Sequence, residues 1–210
     1  MRIVCISDTH SMHEQMPPIP EGDVLIHAGD SLGQGSLSNL LALNDWLATL
    51  PHPHKILIAG NHDWVFQNQP EEARAALTQA IYLEDSGVEI NGFHFWGSPW
   101  TPIFMNWAFM LDAESLAQKW QLIPDTTDVL ITHGPPHGLG DRVPDQYRTL
   151  HVGDESLRSR VSEIAPKLHV FGHIHEDYGH YALNSTRLIN ASTCNARYQP
   201  ENLPLVVDLT

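Results

Sequence analysis

Five short clusters of Asp, His and Asn recur along the chain, each just after an apolar run: Asp8-Thr9-His10, Gly29-Asp30, Gly60-Asn61-His62-Asp63, Thr132-His133-Gly134 and Gly172-His173-Ile174-His175. Together they hold enough oxygen and nitrogen donors for two divalent metal ions. Asp8 and His10 are two apart, and in an extended segment such side chains share a face, so both can address one ion. His173 and His175 repeat that spacing. Asp30 follows a glycine that lets the backbone turn sharply, and its two carboxylate oxygens can bridge two metals. Asn61 adds a neutral oxygen and His133 a nitrogen. Mixed oxygen and imidazole ligation suits Mn, Fe, Zn, Ni or Co. Two such ions about 3.5 to 4 Å apart deprotonate a shared water and clamp the attacking and leaving oxygens of an in-line displacement, which suits phosphate-ester hydrolysis. His62, beside Asn61, is placed to donate a proton to the leaving oxygen, with Asp63 holding its imidazole. Turn chemistry explains any one cluster, since Asp, Asn and Gly are common after strands; it does not produce all of them in corresponding positions.

The elements that must position these residues are legible as well. Arg2 to Ser7, Asp23 to His27, Lys55 to Ala59, Asp128 to Thr132 and Lys167 to Phe171 are brief apolar runs that read as buried strands. Helices are expected over Leu37 to Leu50 with Ser36 or Ser38 as N-cap, Glu71 to Ala80 after Pro70, Ala113 to Trp120 after Asp112, and Asp154 to Ile164. Further strands are Ile81 to Leu83, Val88 to Ile90 and Phe93 to Trp96, with a hairpin across Asn91-Gly92. Tyr181 to Leu183 and Arg187 to Asn190 form another across Asn184-Ser185, and Leu205 to Leu209 closes the series. The alternation predicts an α/β fold in which two packed sheets carry helices outside. In such sheets, loops from separated parts of the chain converge beyond the strands' carboxyl ends, where all the clusters sit. Met16 to Pro20 and Gly134 to Gly153 read as loops, the second long enough to have a function.

At 210 residues one domain over 1–210 is expected, able to bury about 70% of the surface its unfolded form exposes. The 11 Lys plus Arg against 25 Asp plus Glu give a net charge of -14, which repels a polyanion, so long nucleic acid is a poor substrate. No run approaches a membrane span and Met1 leads straight into the first strand, which predicts a cytoplasmic protein with no membrane partner. Cys5 and Cys194 read as buried thiols.

With these motifs in view, the chain resembles the calcineurin-like metallophosphoesterases over nearly its whole length. The resemblance implies Asp8, His10, Asp30 and His175 around one metal, and Asp30, Asn61, His133 and His173 around the other. It also implies His62 as proton donor and a four-layer α/β/β/α sandwich of two mixed sheets. Manganese is the first expectation for both ions. Ser98-Pro99-Trp100, Trp107-Ala108-Phe109, His133-Gly134-Pro135-Pro136 and Asn190-Ala191-Ser192 resemble the metallophosphoesterase-domain-containing subgroup, related to class III cyclic nucleotide phosphodiesterases. That subgroup carries Gly at the position of Asp177, so an acidic group beside the metal-binding histidines is expected to alter substrate preference. Some members lack one metal-binding His; both His173 and His175 are present here, which implies an active enzyme.

The substrate is less constrained. Trp96, Trp100, Phe104, Trp107 and Phe109 offer a stacking wall for a nucleobase, or a core or dimer contact. Arg142 and Arg148 suit a phosphate, or pairing with Asp141 or Asp145. His137 faces the substrate or is an exposed loop residue, and Pro51-His52-Pro53-His54 is a connector without a second metal site. By subgroup resemblance Asn190 lines a nucleotide pocket; otherwise it ends a strand. The leading expectation is a phosphodiesterase for a small, nucleotide-like diester. The alternatives are a phosphomonoesterase or protein phosphatase, or a metal-stabilised interaction scaffold, and a homo-oligomer is open.

Overall fold

In the computed structural model, which describes residues 1–33, 35–146 and 148–210, the apolar runs become the central strands of two sheets. The first elements are β1 (Arg2–Ile6), β2 (Val24–His27), α1 (Leu37–Thr49), β3 (His54–Leu57), α2 (Trp64–Asn68), α3 (Pro70–Ala76), β4 (Ile81–Tyr82), β5 (Ser86–Ile90) and β6 (Phe93–Ser98). Then come β7 (Thr101–Pro102), β8 (Met110–Leu111), α4 (Ala113–Trp120), β9 (Val129–Thr132), β10 (Arg142–Pro144), β11 (Thr149–His151) and α5 (Glu155–Ile164). The last are β12 (Leu168–Phe171), a 3-10 turn (His175–Asp177), β13 (Gly179–Leu183), β14 (Thr186–Asn190) and β15 (Leu205–Asp208).

One sheet has the order β15-β1-β2-β3-β4, parallel except for β15. The other runs β13-β14-β12-β9-β6-β5, parallel from β14 to β6 with antiparallel edges. Central strands are apolar on both faces because both faces are covered. Ile3, Cys5, Val24, Ile26 and Ile56 of the first sheet meet Phe95, Val129, Ile131, Val170 and Ile189 of the second in a shared core. The alternating residues Val4, Ile6, Leu25 and Leu57 point the other way, onto Leu40, Leu43, Leu47, Val65 and Phe66 of α1 and α2. Leu130 faces out from the second sheet onto Leu116, Trp120, Leu157 and Val161 of α4 and α5. The architecture is therefore the four-layer α/β/β/α sandwich.

Side-chain caps fix the helix starts. Ser36, not Ser38, caps α1 by accepting from Asn39 N, and Asp112 and Asp154 cap α4 and α5 by accepting from Ser115 N and Leu157 N. Asp154 thus precedes its helix. The helix expected over Glu71 to Ala80 stops at Ala76, and the unanticipated α2 precedes it; Pro70, which has no N–H to donate, separates the two at a position a helix start accepts. Gly134 to Gly153 is not all loop: Arg142 pairs with His151 and Pro144 with Thr149 in an antiparallel ribbon, β10–β11. A short parallel pair, β7–β8, flanks a further irregular stretch. Both cysteines are free and buried, and no described helix is long and apolar enough to cross a membrane.

Candidate metal centre

The two sheets are stitched at the carboxyl ends of their parallel strands. A bridge joins Ser7, after β1, to Ser192, after β14. Asp8 N donates to Gly29 O at 2.9 Å, His10 N to Asp30 O at 3.0 Å and Gly172 N to His133 O at 3.0 Å, so all the clusters meet at one edge. Such convergence demands unusual backbone. Asp8, His10, Asp30 and His173 have φ of 54°, 45°, 51° and 69°, the left-handed region that non-glycine residues seldom occupy outside functional sites. Gly29 is at φ 97°, and a Cβ there would lie 2.5 Å from His133 Nδ1 and 2.7 Å from Ala59 O. A side chain at Gly172 would overlap the Asp8 carboxylate and Ser7 Oγ. Glycine is required at both for the donor loops to touch.

The donors fall into two sets sharing Asp30. Atoms of Asp8, His10 and His175 lie within 4.8 Å of one another, as do those of Asp30, His133 and His173, and those of His10, Asp30 and His62. Asp30 Oδ2 is 3.9 Å from His10 Nε2, while Asp30 Oδ1 is 3.3 Å from His133 Nε2. His175 Nε2 stands 3.5 Å from Asp8 Oδ1 and 3.2 Å from His10 Nε2. Asn61 Oδ1 is 3.0 Å from His133 Nε2, which adds Asn61 to the second set. His133 Nδ1 donates to Ala28 O at 2.9 Å, which turns Nε2 toward the oxygens of Asp30 and Asn61. Oxygens of Asp30 and Asn61 and the His133 ring nitrogen turn on one point, where a proton on Nε2 or a metal ion satisfies them, and the donor chemistry fits a pair of divalent ions sharing Asp30.

The electrostatics agree. Burial opposes ionisation of Asp30 and of Asp8, yet both carboxyls are held well below the usual range, Asp30 chiefly by His133 and Asp8 chiefly by His175. Burial likewise disfavours a charge on His133, but the Asp30 carboxylate overrides it and moves the imidazole up to about 9. His10 and His173, where burial wins, are pushed down to about 4 and about 3 and stay neutral, the form that binds metal.

Several supporting groups have little sequence signal. His173 N donates to the Asp8 carboxylate, and Ser192 Oγ lies 2.9 Å from Asp8 Oδ2 and 2.8 Å from Asn190 Oδ1. Beneath each sheet's donor loops is a buried His–Thr pair: His27 Nε2 is 2.9 Å from Thr9 Oγ1, and His169 Nε2 is 2.8 Å from Thr132 Oγ1. Each Thr hydroxyl also donates to a carbonyl, of Ser31 and of Gly134, so it accepts from the ring and both imidazoles carry their proton on Nε2.

His62 sits at the open side. Its Nε2 is 4.0 Å from Asp30 Oδ2, its Nδ1 is 3.3 Å from Gly33 O, and Trp107 stacks on it at 4.3 Å. Asp63 does not hold the ring as the sequence suggested. Its carboxylate accepts from Gly60 N, Leu32 N, Ser31 N and Ser31 Oγ, tying the third donor loop to the second. Burial and the neighbouring Asp30 charge raise its pKa to about 7.

Other expectations are redistributed. Arg142 pairs with neither Asp141 nor Asp145; it forks onto Asp177 with Nε–Oδ1 at 2.9 Å and Nη2–Oδ1 at 2.6 Å. Asp177 is buried in that pair and is not among the residues lining the cavity beside the centre. Arg148 is exposed in the ribbon turn, its carbonyl accepting from Asp145 N, and His137 packs near His151, its carbonyl accepting from Arg158. Asn190 is buried, its amide donating to Gly140 O and Ile174 O, and so braces the site from behind. His52 bonds Pro20 O and His54 opens β3. Of the aromatic segment, Phe104 and Trp107 line the cavity, whereas Trp96, Trp100 and Phe109 pack in the cores and Trp100 Nε1 donates to Asp85. The cavity measures about 570 Å³ and reaches Asp30, Asn61, His62, His173 and His175.

A four-layer sandwich with paired oxygen–imidazole donor sets at its strand ends defines a metal-dependent phosphoester hydrolase. The family model described as calcineurin-like phosphoesterase matches residues 1–177. Human metallophosphoesterase domain-containing protein 1 is 43% identical over 233 residues, covering 99% of this chain and 71% of its own length. A UPF0046 protein of Caenorhabditis elegans is 38% identical over 220 residues, 98% of this chain and 74% of its own. In structure, TT1561 of Thermus thermophilus superposes with a TM-score of 0.62 at 13% identity, covering 90% of this chain and 88% of that one, a likeness of fold. The chain belongs to the calcineurin-like phosphoesterase family, whose members use dinuclear divalent metal centres.

Proposed function

We propose that this chain hydrolyses a phosphodiester bond in a small, nucleotide-like substrate, cyclic nucleotides included. Asp8, His10, Asp30 and His175 hold one divalent ion, manganese first, and Asp30, Asn61, His133 and His173 hold the other. The observation that carries this reading is the division of one buried carboxylate between two donor sets, with the His62 imidazole on the cavity side. When bound, the ions activate water and neutralise charge building on the phosphoryl group. His62 faces Gly33 O through Nδ1, which leaves Nε2 to carry the proton to the leaving oxygen. Trp107, stacked on the ring, fixes its plane and keeps water from that side.

Preference for a diester rests on charge. Among the described residues lining the cavity there is no Lys or Arg, and Arg142 is committed to Asp177. A diester carries one negative charge at neutral pH and a monoester close to two, so the second charge would lack a protein cation. The chain's net charge of -14 also disfavours long nucleic acid and acidic phosphopeptides. The test is a screen of metal-reconstituted protein against generic diesters, monoesters and 2',3'- and 3',5'-cyclic nucleotides, with a metal-stripped control. Metal-dependent diester turnover above monoester turnover is expected. The reverse order points to a phosphomonoesterase or protein phosphatase, and full metal occupancy without turnover to a scaffold.

A further inference from the structure

The strand ends form only the floor of the cavity. Its walls come from three segments outside the two main sheets: the β7–β8 connection with Ile103, Phe104 and Met105, the β10–β11 ribbon with Val143 and, just after it, Val152, and the turn before β15 with Tyr198. Phe104 and Tyr198 are 52% and 53% exposed, and Ile103 and Met105 are 61% and 66% exposed. Clustered apolar exposure at the rim of a concave site marks a surface that a ligand covers.

Two rings stand beside the two donor sets. Phe104 lies 5.4 Å from His173, while Tyr198 lies 5.1 Å from His10 and 4.8 Å from His175. Tyr198 is held there at φ 56°, unfavourable for a bulky residue. Asn195 pins the turn: its Oδ1 accepts from Arg197 N and Gln199 N, and its carbonyl accepts from Tyr198 N. Among the described residues lining the cavity, the charged group beyond the donors is Glu176, which repels an anionic substituent.

We infer that Phe104 and Tyr198 set specificity by receiving an uncharged, flat apolar substituent of the substrate, so that this site selects aryl-bearing or base-bearing diesters over small or anionic ones. The inference rests on the diesterase reading of the same centre. Apolar rings take such a group by burial and by stacking in offset or edge geometry, neither of which needs a hydrogen-bond partner. Phosphate charge is met at the floor and apolar area at the walls.

The experiment uses metal-loaded protein and p-nitrophenyl alkyl diesters with one leaving group and a varied second substituent: methyl, 2-(1-naphthyl)ethyl (the naphthyl diester), carboxyethyl or trimethylammonioethyl. We expect kcat/KM to rise about tenfold from methyl to naphthyl, what removing roughly 60 Å² of apolar surface from water supplies. The carboxyethyl diester is expected to be slowest. In Phe104→Ala and Tyr198→Ala the naphthyl-to-methyl ratio should fall to about threefold or less, and both side chains are exposed enough for the fold to tolerate the change. Calorimetric binding of the matching methyl and naphthyl phosphonates reads the same ratio without turnover. Equal binding of the two phosphonates, or fastest turnover of the trimethylammonioethyl diester, overturns the inference. Absent diester turnover with selective naphthyl phosphonate binding overturns the diesterase reading and leaves the apolar site standing.

Discussion

The two sheets reach the same centre by different means. The first supplies Asp8, His10, Asp30 and Asn61, and its donor loops carry left-handed backbone at Asp8, His10 and Asp30. The second supplies His133, His173 and His175, with left-handed backbone at His173 alone. The carboxylates therefore come from the half that bears most of the backbone strain, and the other half contributes imidazoles. Support differs too. His133 is oriented by a main-chain carbonyl, Ala28 O, whereas Asp8 depends on the Ser192 hydroxyl from the opposite sheet. The lesson is that neither half is a site by itself: Asp8 and Asp30 are each contacted across the sheet interface, and the ions would clamp the sheets together.

The largest effect should come from the residue common to both sets. Asp30→Ala is expected to remove bound metal and reduce diester hydrolysis to background, with metal content read by elemental analysis; normal turnover by this metal-free variant would sink the metal model. The same variant should lose the thermal stabilisation that excess metal gives the native chain, about 2.7 kcal/mol at a hundredfold excess over Kd. His62→Ala separates chemistry from assembly: turnover should fall by roughly 10² to 10⁴ while metal content stays near that of the native protein. Ser192→Ala targets one half, and should weaken metal affinity at the first set by about tenfold while sparing the second. Equal weakening at both would mean that the halves are not independently supported.

The smallest expected effect on turnover comes from the paired buried histidines, whose role is read as stability of the metal-free protein. Burial pushes both His27 and His169 down to about 3, below the ordinary 6.5. Between about pH 6.5 and 3 the unfolded chain then binds more protons than the folded one, so stability falls as pH falls through that window, by up to about 1.4 kcal/mol per pH unit for each ring. His169→Gln should flatten the change in urea midpoint between pH 7 and 5. An unchanged dependence of the midpoint on pH in His169→Gln would show that burial does not hold this ring neutral.

The legible part of this protein is the part built on regular strands. Runs such as Arg2 to Ser7 and Asp128 to Thr132 announce themselves because both faces of a central strand are buried, and the donor clusters stand out because each follows such a run. Less visible was Asp63, whose sequence neighbour His62 proved not to be its partner; its carboxylate takes the backbone amides of Ser31 and Leu32 instead. Arg142 found Asp177, 35 positions on. Tyr198 carries no periodic or motif signal, since its place depends on a turn pinned by Asn195.

Residue types and spacing by themselves determined the two-sheet architecture, the candidate metal donors and the chemistry they favour, because strand periodicity and ligand chemistry are local properties. Tertiary structure alone decided which oxygen of Asp30 faces which donor set, which hydroxyl supports Asp8, and which aromatic rings wall the cavity. Those outcomes depend on contacts between distant segments, where close packing and loop conformation, not sequence neighbourhood, select the partner.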